Sequence, residues 1–217
     1  MKYADISELN RVLLACNLCP RLRKFSEDVA LNGRKFNQEY WGKPVPGFGD
    51  PRAKMMIVGL APAAHGGNRT GRPFTGDETG KWVIGGLYEL GLSNLREGVS
   101  RDDGLVLRGV FLTNAVSCAP PKNVVKTQEI LNCSTHLRAT IELLKDLKVI
   151  LALGTVAFKS ASLVLGVKET FGHLKVRFVN GIYLVGSYHP SPLNTRTGRL
   201  SWEEWLRVLR YAWKLAS

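Results

Sequence analysis

The 217-residue chain has no apolar run long enough to cross a bilayer, which takes about 20 consecutive residues. Its opening, MKYADISELNR, has no apolar centre of the kind a secretion signal carries. Both absences predict an intracellular, cytoplasmic protein without a membrane partner. Acidic residues are scarce too: Asp and Glu number 18 against 30 Lys and Arg, a formal net charge of +12. A small-molecule enzyme has no need of such an excess, whereas a nucleic-acid backbone rewards it through counterion release. Only four cysteines occur, and in an intracellular chain they point to a metal or cluster site before disulfides. No repeat, low-complexity tract or linker divides the chain. With 45% hydrophobic residues it is read as a single α/β domain over residues 1–217, and as a monomer.

What is present alternates strands with helices. Apolar residues Ile6, Leu9, Val12 and Leu13 predict a helix over Asp5–Leu14, and Arg21–Asp50 reads as a basic, aromatic wrapping segment with one short helix. Buried strands are predicted at Lys54–Val58, Gly109–Val116, Lys148–Leu153 and Ile182–Gly186. Helices are predicted over Thr79–Leu90, Thr127–Lys145 and Ser201–Leu215, with a shorter one from Gly154 to near Gly166. His173–Val179 alternates like a strand and turns at Asn180-Gly181. The pattern implies a three-layer α-β-α fold with a central four-stranded, mostly parallel sheet. Segments beginning at Gly59, Ser117 and Ser187 should then meet at the carboxyl edge of the sheet.

The first of these, GLAPAAHGGNRTGRPFTGD from Gly59 to Asp77, is long, glycine-rich and without periodicity, as ligand loops are. Cys16 and Cys19 follow the first helix, while Cys118 and Cys133 bracket the start of another. Four thiolates brought together there would suit zinc or an iron–sulfur cluster, and spacing does not choose between them.

With TNAVSCAPPKN (Thr113–Asn123) and HPSPLN (His189–Asn194), that loop and the four cysteines resemble the uracil-DNA glycosylases of the family 4 and family 5 group, specifically family 5. The resemblance implies a 4Fe-4S cluster on Cys16, Cys19, Cys118 and Cys133. It implies hydrolysis of the bond between a damaged base and deoxyribose in double- or single-stranded DNA. Related families carry an acidic or amide side chain in the first two positions after the opening glycine; here these are Leu60 and Ala61, a departure typical of family 5. The resemblance puts Ala61 and Ala63 in the base pocket and makes Asp77 the residue that organises water, although Asp77 is equally placed to cap a helix.

Cleavage builds negative charge on the departing base, so a donor near a base oxygen is needed, and His189 on its proline-stiffened loop is the candidate. His65 is a secondary one. Phe74 suits stacking on an extruded base, and Asn114 and Asn123 carry amides able to read a uracil edge. Leu193 suits a wedge filling the gap in the duplex, with Arg69, Arg72, Arg196 and Arg199 on phosphates. No lysine stands out as a Schiff-base nucleophile. Two rivals remain at this point: a non-catalytic DNA-binding module holding zinc or a cluster, and a metal-dependent hydrolase using His65, Asp77 and His189.

Overall fold

The computed structural model describes residues 3–217. Its centre is four short apolar runs: β2 (Met55–Gly59), β3 (Val110–Asn114), β4 (Val149–Leu153) and β6 (Ile182–Ser187), preceded in the chain by a two-residue strand β1 (Phe48–Gly49) and joined by β5 (Val176–Val179). Every residue of β2, β3 and β4 is buried, as strands covered on both faces require. The spatial order is β1-β3-β2-β4-β6-β5. The inner four strands are parallel, but β1 and β5 pair antiparallel at the two edges. The expected four-stranded sheet is therefore corrected to a mixed sheet of six. Two residues are too few to show a period, which hides β1. The hairpin strand β5 was legible as alternation, and its exposed Arg177 and Phe178 mark it as an edge.

The period of two sorts the core onto opposite faces. Met55, Ile57, Val110, Leu112, Val149, Leu151 and Val185 join one apolar cluster, while Met56, Val58, Phe111, Ile150, Ala152 and Leu184 join the other. On the first face lie α4 (Glu78–Glu89) and α8 (Trp202–Ala216). Ser201 caps α8 by accepting from the Glu204 N–H at 3.1 Å, and the helix buries Trp205, Val208, Leu209 and Ala212 at helical spacing. Trp205 is fully buried, and its indole N–H reaches the Trp82 carbonyl at 2.7 Å. The second face is covered by α5 (Thr127–Leu143) and α6 (Gly154–Leu165), with α1 (Ile6–Leu14) resting on α5.

Between α1 and β1 the chain forms a 12-residue helix, α2 (Pro20–Leu31), where a wrapping segment with one short helix was expected. Its buried face is Leu22, Ser26 and Ala30, so small and polar residues conceal the helical period. Pro20 sits in the first turn, where its missing N–H costs nothing. The remaining stretch does wrap: the Trp41 and Gly42 amides donate to the Arg69 and Asn68 carbonyls, clasping the Gly59–Asp77 loop. That loop includes one buried helical turn, α3 (Gly67–Thr70), and the His189 loop includes another, α7 (Pro192–Thr195).

β3 lies on one side of β2 and β4 on the other, so the winding direction switches beside β2. Crevices form at such switch points, at the carboxyl ends of the strands. Register places Gly59 opposite Asn114 and Leu153 opposite Ser187 there.

Candidate active site

A cleft of about 690 Å³ opens at this edge. Four strand exits wall it: Leu60–Ala63 after β2, Asn114 and Asn123 at and beyond β3, Leu153–Val156 after β4, and His189 with Ser191–Leu193 after β6. Phe74, Asp77, Glu78 and Thr79 complete the lining. The structure thus gathers Ala61, Ala63, Phe74, Asp77, Asn114, Asn123, His189 and Leu193 from three distant stretches of sequence. From sequence the exit of β4 reads only as the start of a short helix at Gly154, with no site residue. Gly154 immediately after a fully buried strand was the available signal, because α6 starts there with no side chain capping its first amides.

Asp77 is both a cap and a cleft residue. Its Oδ1 accepts from the Gly80 N–H at 2.8 Å and starts α4. The other oxygen, Oδ2, lies against Gly66, where a Cβ would stand only 2.0 Å from it. A glycine at 66 is what lets the carboxylate fit. Burial pushes the Asp77 pKa up, against the opposing pull of the Gly80 amide and the nearby Arg69 charge.

His189 lies on the facing wall, partly open to the cleft. Desolvation pushes its pKa down to about 4, so the ring is neutral at physiological pH and holds one N–H to donate. The loop is fixed behind it, because Asn194 Nδ2 and the Ser191 amide both donate to the His189 carbonyl at 2.8 Å.

Phe74 is buried at 7% exposure, belongs to the larger core cluster and also lines the cleft, so one ring both packs the core and walls the cleft. Its backbone φ of +51° is rare for a bulky residue. Such strain costs about 1–3 kcal/mol and persists where its surroundings enforce it. At Gly59 a Cβ would meet Asn114 Oδ1 at 2.5 Å and Phe74 Cζ at 2.7 Å, so the missing side chain lets both approach. Asn114 is buried and Asn123 exposed, placing one amide at the floor and one at the mouth. Lys122 and Asn123 both have left-handed φ values, +54° and +57°. Leu193 is 77% exposed on α7 at the rim, with Arg196 and Arg199 also exposed and Arg199 stacked 4.3 Å over the Tyr188 ring.

Arg69 and Arg72 correct the expectation of phosphate contacts. Arg69 is buried and donates to the His65 and Gly76 carbonyls at 2.7 and 2.8 Å. Arg72, 3% exposed, forms a two-pronged pair with Asp103 at 2.8 and 2.7 Å and donates to Thr75 Oγ1 at 2.9 Å. Their guanidinium groups stiffen the loop from inside, since burying a charge demands such partners. Nor does His65 reach the cleft: its Nδ1 is 3.1 Å from the Tyr40 hydroxyl. A hydrolase site built on His65, Asp77 and His189 together is therefore not formed.

The cysteine segments do meet. Cys19, Cys118 and Cys133 share one small buried cluster with Leu22 and Val116, and Cys16 is close enough to influence all three electrostatically. All four are free thiols. Arg21 pins α2 to α5 through two bonds to Glu129, at 2.8 and 2.7 Å. Burial raises the Glu129 pKa, but the Arg21 contacts outweigh it and hold the carboxyl below its usual range. Desolvation, with the neighbouring thiols adding to it, pushes Cys118 up to about 12 and Cys133 to about 11. Among the described residues, no three His, Cys, Asp or Glu side chains are grouped as ligands of a single ion.

An α/β sheet whose switch-point cleft is lined by both a carboxylate and a neutral imidazole carries groups that a hydrolase can use. The uracil DNA glycosylase superfamily model matches residues 46–212. The chain is 47% identical over 201 residues to the type-5 uracil-DNA glycosylase of Pyrobaculum aerophilum, covering 92% of this chain and 88% of that protein. It is 45% identical over 211 residues to the type-5 enzyme of Thermus thermophilus, with 95% and 96% covered, and 31% identical over 195 residues to a type-4 uracil-DNA glycosylase of P. aerophilum, with 86% and 83% covered. The chain belongs to the uracil DNA glycosylase superfamily and, within it, to the type-5 uracil-DNA glycosylases. It is a hydrolase of N-glycosyl bonds that acts on DNA. No helix among the described residues is long and apolar enough to cross a membrane.

Proposed function

We propose that the base is drawn out of the DNA into the cleft, that His189 donates an N–H to a base oxygen as the glycosidic bond breaks, and that ionised Asp77 orients the attacking water. The observation that carries this reading is the desolvated, neutral imidazole of His189 lining the same cleft as the Asp77 carboxylate. Phe74 stacks on the base, while Asn114 and Asn123 read its edge between the small walls of Ala61 and Ala63. Leu193 fills the gap left in the duplex, and Arg196 and Arg199 meet phosphates. The substrate is damaged DNA, double- or single-stranded, met by a monomer in the cytoplasm at the nucleoid.

The same reading extends to other deaminated bases, hypoxanthine among them. The positions after Gly59 carry only Leu60, Ala61, Pro62 and Ala63 on the cleft wall, leaving no polar side chain there to reject a purine. Among the described residues no lysine lines the cleft, which supports a monofunctional enzyme leaving an abasic site. Duplexes carrying uracil, hypoxanthine or xanthine, treated with enzyme and then alkali, are expected to break at each lesion and to stay intact without alkali. Cleavage of uracil alone would refute the broad range, and breaks before alkali would refute the monofunctional reading.

The four cysteines are proposed to hold a 4Fe-4S cluster. Arg23 supports the fit: its Nε and Nη1 are buried without a partner, and its charge favours the Cys118 thiolate, so cationic donors lie ready beside the thiols for an anionic group. The Asn132 amide adds a contact to Cys19 Sγ at 3.5 Å. When bound, such a cluster supplies a redox-capable cross-link between the N-terminal helices and the sheet. Protein purified without oxygen is expected to be brown and to hold iron and sulfide in equal amounts, and Cys118→Ala to lose both. A colourless, iron-free and fully folded protein would refute the assignment.

A further inference from the structure

Behind Asn114 lies a second cavity, of about 10 Å³, walled by polar groups of Asn10, Thr113, Ser117 and His136. Among the described residues, Asn114 alone lines both this cavity and the cleft. On the cleft side its amide packs against Gly59 and Phe74, neither of which has a side chain able to hydrogen-bond it. His136, on α5, keeps both Nδ1 and Nε2 buried with no hydrogen-bond partner. A neutral imidazole carries one donor and one acceptor, and leaving both unmet in the interior is costly. The volume is about that of one water probe, and the walls provide the polar partners that a buried water needs.

We infer that the cavity holds one ordered water linking His136 to the Asn114 amide, and that His136 is a positioning residue for base recognition. An asparagine amide reads a base edge correctly in only one of its two flipped orientations, because flipping exchanges donor for acceptor. A water held by His136 from behind fixes that orientation without occupying the cleft. The inference rests on the reading of Asn114 as a base-reading amide.

A double-mutant cycle tests it, using single-turnover excision from a uracil-containing duplex. His136→Leu is expected to slow excision about tenfold, the factor set by one ordinary hydrogen bond. Asn114→Ala slows it further, and the double variant is no slower than Asn114→Ala alone. His136→Gln, which can still donate and accept, recovers most of the rate. Additive losses in the double variant, or a His136→Leu rate within about twofold of the unaltered protein, would overturn the role of His136. A silent Asn114→Ala would overturn the base-reading role of Asn114, and the inference with it. Should the leucine variant not fold, a crystal structure of the unaltered protein decides. One water within about 2.7–3.2 Å of a His136 nitrogen and of the Asn114 amide supports the inference, and a dry cavity overturns it.

Discussion

His189→Ala is expected to slow base excision at saturating DNA by about 10²–10³-fold, or about 2.7–4 kcal/mol of transition-state stabilisation. DNA affinity should hardly change, because the proposed contact of the ring is with the extruded base and not with the phosphates. The size follows from the environment: the imidazole is desolvated and neutral, with a pKa near 4, so its N–H needs no reorganisation as charge develops on the base. Its loop is held by Asn194 and Ser191 through the backbone carbonyl, contacts that the alanine variant keeps. Single-turnover rates alongside DNA binding measure the split. A loss below about tenfold would be too small for an oxyanion-type donor.

Asp77→Asn is expected to lower turnover by about a hundredfold or more, within the range of a lost acid–base group. Asparagine retains an oxygen to accept the Gly80 N–H, so the start of α4 survives, whereas alanine would also remove the cap at about 1 kcal/mol. The pH dependence separates the two roles. Burial raises the Asp77 pKa above its ordinary value, and the proposed role needs the ionised form, so activity is expected to fall as pH drops through that raised pKa. His189 stays neutral down to about pH 4. In Asp77→Asn the limb should vanish. The linkage has the opposite sign for stability: the folded state binds the proton more tightly, so stability falls as pH rises from the unfolded to the folded pKa. Asp77→Asn should therefore be at least as stable as the parent at neutral pH. Unchanged turnover would leave Asp77 as a cap alone.

Much of this frame could be read from residue order. The four inner strands are continuous apolar runs because they are buried on both faces, and their exits had to share one edge once the crossovers were parallel. The exposure of Leu193 also followed from its polar neighbours. Other features were hidden for physical reasons. Arg69 and Arg72 look like surface charges because their partners are backbone carbonyls and an aspartate 31 residues away. The buried face of α2 uses Ser26 and Ala30, which carry little hydropathic signal. The roles of Phe74 overlap, since one ring packs the core and lines the cleft under a backbone angle no sequence pattern reveals. His136 resembles any histidine on a helix until its burial and the cavity beside Asn114 are seen.

The central claim is that two loops from opposite ends of the sequence act on one extruded base. It is tested most directly by a crystal structure of the protein with a duplex carrying a uracil nucleotide whose glycosidic bond cannot be cleaved. The account predicts the uracil outside the stack and inside the cleft, a His189 ring nitrogen about 2.7–3.1 Å from a base oxygen, and a water on the Asp77 carboxylate facing the sugar. A uracil held elsewhere, or one in the cleft with His189 turned away from it, would contradict the account.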